Sequence, residues 1–332
     1  MAELVSLDDV RAAARRLDGV VVRTPLIPFP AARPANVLIK PESLQPTGSF
    51  KLRGAYNAIA ALDDASRARG VVTHSSGNHG YAVAYASALL GIKAVIVVPR
   101  NAPQIKTDAI RAAGAELVLV EPTHEARVAG AESVQRDRGY ALIPPFDHRQ
   151  VIAGQGTIGL EIAEDRGPRP PAAVFVPVSG GGLISGIAVA IKALMPDTKV
   201  IGVEPELAAD TRESFRAGTR VAWPSADVAR TAADALRVEQ VGELTFAHIR
   251  NLVDDMVTVS EDEMFTAVRK LAVRGRLVAE PGGAAAVAAC LFRDLAEFGD
   301  SEGPLVAVLS GGNIDPTLLA RILAPDAQSY TG

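Results

Sequence analysis

Lys51 is the residue on which a chemical reading of this chain turns. It stands at the centre of residues 46–54, PTGSFKLRG, directly after Thr47, Gly48, Ser49 and Phe50. Small residues let the backbone come close to a ligand, the phenyl ring supplies a flat wall, and a primary amine projects between them. That is a seat for a flat cofactor. A single lysine near a turn is most often a solvated charge, so Lys51 takes a role only if other stretches supply what a cofactor needs.

Three polar, glycine-bearing loops meet that demand: SSGNHG at 75–80, SGGGLISG at 179–186 and SGGN at 310–313. Each follows a strand-like run, and in open α/β sheets ligands gather beyond the carboxyl ends of strands. Any one of the loops could be a mere turn. Ser179–Gly182 lies between VFVPV and the helical run LISGIAVAIKAL, so bare amides and the positive end of a helix converge, as a phosphate requires. Ser75–Gly80 precedes HGYAVAYASALL and adds hydroxyls and the Asn78 amide, which suits a carboxylate. A phosphate site, a carboxylate site and a lysine together point to pyridoxal phosphate with an amino acid. No G-x-x-x-x-G-K-[ST] is present, which leaves an ATPase loop unsupported. A Rossmann dinucleotide site is the more serious rival: Gly180 and Gly182 fit the first two glycines of its fingerprint and Glu204 ends the next strand, but Ser185 breaks the third position.

The elements that must carry these loops read as alternating strands and helices. Ser6 and Asp9 open a helix to about Leu17; residues 36–40, NVLIK, form a strand; residues 52–70 form one helix closed by Gly70. Strands are expected at 71–74, 94–98, 117–120 and 140–143, with helices at 79–90, 102–113 and 123–138 between them. The pattern restarts with a helix at 150–165, strands at 173–178 and 199–203, a Ser260/Glu263 capping box on a helix at 261–274, a helix at 281–298 and a last strand at 305–309. The expected fold is α/β: two domains of open, twisted, mainly parallel sheets with helices on both faces and the active site in the cleft between them. Residues 70–145 form a small mobile domain; 1–69 and 146–332 form the large one.

Composition agrees. With 332 residues, 48% hydrophobic and only 5% aromatic, the chain can bury a large core of small aliphatic residues. A net charge of −4 provides no basic field for nucleic acid or anionic lipid. The N-terminal stretch carries acids in a helical pattern instead of a signal region, and no apolar run spans a bilayer; the lone Cys290 can form no internal disulfide. A cytoplasmic protein is expected.

At this point the residues match a family. TGSFKLRGA, SSGNHGYAVAYA, VPVSGGGLISGIA, AEPGGAAAVAA and VLSGGN, in this order, resemble the serine/threonine dehydratases and serine racemases of the fold-type II (tryptophan-synthase-β-like) pyridoxal phosphate enzymes. VVPRNAPQIKTDAIRAAGAE, PFDHRQVIAGQGT and LVDDMVTVSEDE extend the resemblance over nearly the whole chain. It implies that Lys51 is the Schiff-base lysine and catalytic base, that Phe50 packs beside the cofactor ring, and that Asn78 bonds its phenolic oxygen. Ser179, Gly180, Gly181, Gly182 and Leu183 would cradle the phosphate and Ser310 would face the pyridine nitrogen. Ser75, Ser76, Asn78 and His79 would take the substrate carboxylate, with Ser76 also returning a proton on the face opposite Lys51. Glu204, the Ala208 carbonyl and Asp210 resemble a divalent cation site suited to Mg²⁺ or Ca²⁺, and Arg127 falls where some relatives carry a substrate-facing arginine.

The reaction so implied is dehydration and deamination of a hydroxy amino acid such as L-threonine or L-serine to a 2-oxo acid and ammonia. Racemisation on the same site, and a non-catalytic binding protein on the same fold, stay open. SFKLRG and SSGNHG disfavour the cysteine synthases, Leu52 after the SFK core disfavours the threonine synthases, and no regulatory extension follows the last helix at about Ile322. A homodimer is the expected assembly. Two departures stand out: Ser179 replaces the first glycine of the usual GGGG, and Ala235 replaces the glycine of ADG beside the cofactor.

Overall fold

The computed structural model describes residues 3–30, 36–75, 77–102, 104–294, 298 and 303–324. Its strands are β1 (Ile27–Pro28), β2 (Val37–Pro41), β3 (Val71–Thr73), β4 (Ala94–Pro99), β5 (Glu116–Val120), β6 (Ala141–Leu142), β7 (Ala173–Pro177), β8 (Lys199–Pro205), β9 (Asp255–Val259) and β10 (Leu305–Leu309). They form a six-stranded sheet in the order β1-β2-β10-β7-β8-β9 and a four-stranded sheet in the order β5-β4-β3-β6. Every pairing is parallel except β1 with β2.

Around them, in chain order, lie α1 (Leu7–Leu17), α2 (Lys51–Ala60), α3 (Asp64–Arg69), α4 (Asn78–Leu90), α5 (Gln104–Ala112), α6 (His124–Arg138) and α7 (Arg149–Arg166). There follow α8 (Gly182–Leu194), α9 (Asp210–Ala217), α10 (Ser225–Val228), α11 (Glu243–Leu252), α12 (Glu261–Lys270), α13 (Pro281–Phe292) and α14 (Pro316–Leu323).

Strands buried on both faces read as unbroken apolar runs, and here alternate side chains feed opposite layers. Ile39, Phe175 and Ala307 pack under α12 and α13, while Leu38, Val174, Val176 and Val308 pack under α7, α8 and α11. In the smaller sheet Val71 and Ile96 meet α2, α4 and Ile110 of α5, and Val72, Val95 and Val97 meet α6. Parallel pairing sets the carboxyl ends of β2, β10, β7 and β8 along one edge of the large sheet.

Several boundaries differ from the sequence reading. The single helix expected over 52–70 is two, because the Asp63 side chain accepts from Ser66 N at 2.8 Å and starts α3 afresh. The helix expected over 281–298 ends at Phe292: Arg293 turns extended and its guanidinium reaches Thr258 O at 3.0 Å. The helix expected over 261–274 is α-helical to Lys270 and then widens into a π-turn over Leu271–Gly275, with Arg276 at φ 57°. The Ser260/Glu263 capping box is present. No helix among the described residues is long and apolar enough to cross a membrane.

Candidate active site

The lysine loop is folded onto the end of β10. Phe50 N donates to Ser310 O at 3.0 Å, Ser49 and Gly311 form an isolated bridge, and Gly312 N donates to Gly48 O at 2.9 Å. Lys51 then opens α2, half-buried, with its Nζ donating to Pro145 O at 2.8 Å and standing 5.0 Å from the Phe50 ring centroid. Burial disfavours the ammonium and brings the Lys51 pKa down to about 8, against the pull of the Glu280 carboxylate. An amine so placed is neutral far more often near physiological pH than an ordinary lysine, as a nucleophile and a base need.

The glycine loop approaches from β7. Gly181, at φ +88°, is the N-cap of α8. The first-turn N–H groups of a helix have no acceptor of their own, so those of Gly182 and Leu183 add to the amides of the turn in an anion cradle. Phe146 lies against this loop so tightly that a Cβ on residue 180 would sit 2.3 Å from its ring. Since Pro145 holds Lys51 and Phe146 holds Gly180, one short segment ties the amine to the cradle.

From the smaller sheet comes the start of α4. Asn78 Nδ2 donates to Glu280 Oε1 at 2.6 Å, and Asn78 Oδ1 accepts from Asn313 Nδ2 at 2.8 Å. Ser75 is half-buried, its Oγ accepting from Gly77 N at 3.4 Å. His79 is buried and its Nε2 bonds Ile143 O at 2.9 Å. Burial first, and the Lys51 charge second, bring His79 down to about 3, so its ring is neutral and turned into the smaller sheet's core. Any carboxylate contact from residue 79 is therefore through its backbone N–H. Ser76 lies outside the described residues. Arg127 is half-buried on α6, its Nε within 3.4 Å of Thr123 O. Ala235 is exposed.

Sequence reasoning assigned no role to Glu280, Asn313, Pro145 or Phe146. The first two lay in motifs already singled out, AEPGG and SGGN, and the others in PFDHRQ; the missing information was spatial. The buried hydroxyls Thr47 Oγ1 and Ser49 Oγ have no partner among the described residues, which leaves polar atoms in the lysine loop for a bound group.

Glu204 and Asp210 lie at the end of β8 and the start of α9. Glu204 is fully buried and accepts from Thr211 N at 3.1 Å and Arg212 N at 2.7 Å. Burial, with Asp210 second, pushes Glu204 well up; burial pushes Asp210 up to about 7. Asp210 Oδ2 is buried with no partner among the described residues. Two crowded carboxylates with an oxygen left over fit a hard cation. No group of three His, Cys, Asp or Glu side chains that could hold a metal occurs among the described residues. Glu204 is fully buried, so it is not offered to the ribose of a dinucleotide, and that reading fails there.

Parallel sheets with lysine, glycine-loop and asparagine elements at one edge define a cofactor-binding α/β enzyme. The family model for pyridoxal-phosphate dependent enzymes matches residues 17–311, and the chain belongs to that family. It is 42% identical over 324 residues to an L-threonine ammonia-lyase of Thermotoga maritima, covering 96% of this chain and 78% of that enzyme. An L-threo-3-hydroxyaspartate ammonia-lyase of a Pseudomonas species is 41% identical over 325 residues, covering 97% and 99%. The structure of maize serine racemase superposes with a TM-score of 0.89 at 38% identity, over 96% of this chain and 97% of that one. The chain is thus an enzyme that uses pyridoxal phosphate.

Proposed function

We propose that this chain is a cytoplasmic ammonia-lyase that removes water and then ammonia from a small hydroxy amino acid, giving a 2-oxo acid. The observation that carries the reading is Lys51 itself: an amine brought to about 8 by burial, beside an aromatic wall and between an anion cradle and the Asn78 amide. The residues that would hold the cofactor are Lys51, Phe50, Asn78, Ser310 and the run Ser179, Gly180, Gly181, Gly182 and Leu183. Pyridoxal phosphate bound there supplies a sink for the electrons released at the substrate α-carbon.

The protein does the rest. The amides at the start of α4, with Ser75, Ser76, Asn78 and His79, take the substrate carboxylate and fix its α-carbon over Lys51. Lys51 Nζ takes the α-proton, the bond from the β-carbon to its hydroxyl oxygen breaks, and that proton departs with the hydroxyl as water. The released enamine is hydrolysed to the 2-oxo acid and ammonia. Ser310, a neutral hydroxyl residue where an aspartate would hold a pyridinium, keeps the sink weak and favours quick loss of the β-group over a long-lived carbanion. Glu204, the Ala208 carbonyl and Asp210 would hold Mg²⁺ or Ca²⁺ as a structural ion at the root of α9. We also propose a homodimer, and closure of residues 70–145 over bound substrate.

The test is an absorbance spectrum with added cofactor, then L-serine, L-threonine and L-threo-3-hydroxyaspartate with 2-oxo acid detection and chiral analysis. The expected result is a lysine-linked band absent from Lys51→Ala and release of 2-oxo acid. A D-amino acid as the main product makes the chain a racemase; no band at all overturns the assignment of Lys51. Sedimentation velocity checks the dimer.

A further inference from the structure

Glycine-rich loops bind anions well and orient themselves poorly. Glycine meets little steric resistance on either side of φ zero, so the peptide linking residues 180 and 181 can present its N–H to an anion or, turned over, its carbonyl. The second orientation points a negative dipole at a phosphate and removes one donor. Something outside the loop must choose.

The choosing contacts converge on the Gly180 carbonyl. Thr245 Oγ1 donates to it at 2.7 Å and Gly242 N at 3.4 Å. Both donors belong to the start of α11, whose N-cap, Gly242, has no side chain with which to cap itself. The cap comes from 95 or more residues upstream: the Asp147 carboxylate accepts from Glu243 N at 3.0 Å and from Thr245 N at 3.0 Å. A Cβ on residue 242 would lie 2.4 Å from Asp147 Oδ1, so the glycine makes room for the foreign cap. Asp147 follows Phe146, whose ring closes the other side of Gly180.

We propose that Asp147 and Thr245 are positioning residues for the anion cradle. Asp147 fixes the first turn of α11, that turn delivers the Thr245 hydroxyl to the Gly180 carbonyl, and the carbonyl is thereby turned away from the ligand so that the amides of Gly181, Gly182 and Leu183 face it. The inference rests on the reading of residues 179–183 as the phosphate site of the cofactor. Neither residue touches the cofactor; each acts through the orientation of one peptide.

A cradle-specific effect is separated from general damage by comparing pyridoxal phosphate with pyridoxal, which lacks the phosphate. Apoenzyme is titrated with each, by absorbance, in wild type, Thr245→Val, Thr245→Ser, Asp147→Ala and Asp147→Asn. Loss of one oriented hydrogen bond is expected to weaken pyridoxal phosphate about fivefold to tenfold in Thr245→Val and leave pyridoxal unchanged. Thr245→Ser, which keeps the hydroxyl, retains wild-type discrimination. Asp147→Ala shows the same selective loss, and Asp147→Asn, with one acceptor oxygen left, a smaller one. Should Thr245→Val fail to fold, the serine and asparagine variants still decide. Equal weakening of both ligands, or no weakening of either, overturns the proposal. A wild type that does not prefer pyridoxal phosphate to pyridoxal overturns the phosphate-site reading instead, and the relay with it.

Discussion

Lys51 carries two opposed influences, and their balance is measurable. Burial pushes the amine down and Glu280 pulls it up, leaving it at about 8 against an ordinary 10.5. In apoenzyme the neutral fraction, and so the rate of condensation with the cofactor aldehyde, should rise with pH around a midpoint near 8. Replacing Glu280 by Gln removes the carboxylate that favours the ammonium, so the midpoint should move lower still; a midpoint that stays put or rises would break the link between these residues. Glu280→Gln also unsettles Asn78, since a carboxylate accepts only and holds Asn78 Nδ2 toward itself, whereas an amide offers both donor and acceptor. The carboxylates at β8 give a second test. If Glu204 and Asp210 hold a cation, Mg²⁺ or Ca²⁺ at a hundred times its dissociation constant should stabilise the fold by roughly 2.7 kcal/mol. Thermal melting of wild type and Asp210→Asn, with and without metal, checks it: the gain should vanish in the variant.

Beneath the lysine, α2 is anchored by a buried charge network. Arg53, fully buried, bonds Glu42 at 2.8 Å and Glu161 at 2.6 Å, and Lys40, equally buried, bonds Thr24 O at 2.6 Å and Glu161 as well. Removing one partner strands a buried charge, so Arg53→Ala should cost about 3–5 kcal/mol in denaturant unfolding. Burial alone would raise Glu42, but the Arg53 charge and hydrogen bonds hold it below the ordinary carboxyl value of 4.5. Its stabilisation is therefore whole above that value and lost as pH falls through the lowered one; urea midpoints taken down the acid limb should show the loss in wild type. The contrast with what could be read in advance is physical. Strand-then-glycine loops announce themselves locally, because bare amides and small residues are visible in one short stretch. The partnerships that make them a site span 98 residues for Asp147 with Thr245, 202 for Asn78 with Glu280 and 235 for Asn78 with Asn313, and no local pattern carries that. Strand β9, by contrast, is marked locally by the β-branched residues of DMVTV, as the break between α2 and α3 is by Asp63 three residues before Ser66.

The two sheets meet where the chemistry is assigned, and the links between them are themselves functional groups. Asn78, at the start of α4 on the smaller sheet, bridges Glu280 and Asn313 on the larger, and Asn313 Nδ2 also reaches Thr47 O at 2.9 Å. Lys51 Nζ spans from α2 to Pro145. Side-chain bonds of this kind are worth about 0.5–1.5 kcal/mol each, small enough to exchange for contacts with a substrate carboxylate in the closure proposed above. Closure should therefore respond to both substrate and latch. Hydrogen exchange of the cofactor-loaded enzyme is expected to slow across residues 70–145, and most at the first turn of α4, when L-serine is added in rapid-quench format. Asn313→Ala, which frees one side of Asn78, should speed exchange at α4 in the absence of substrate by about twofold to tenfold and raise KM by a similar factor while changing kcat less, because it weakens the closed state without touching Lys51. If exchange across 70–145 is the same with and without substrate, the smaller sheet does not close; if it slows in wild type and Asn313→Ala behaves identically, closure stands and the latch does not.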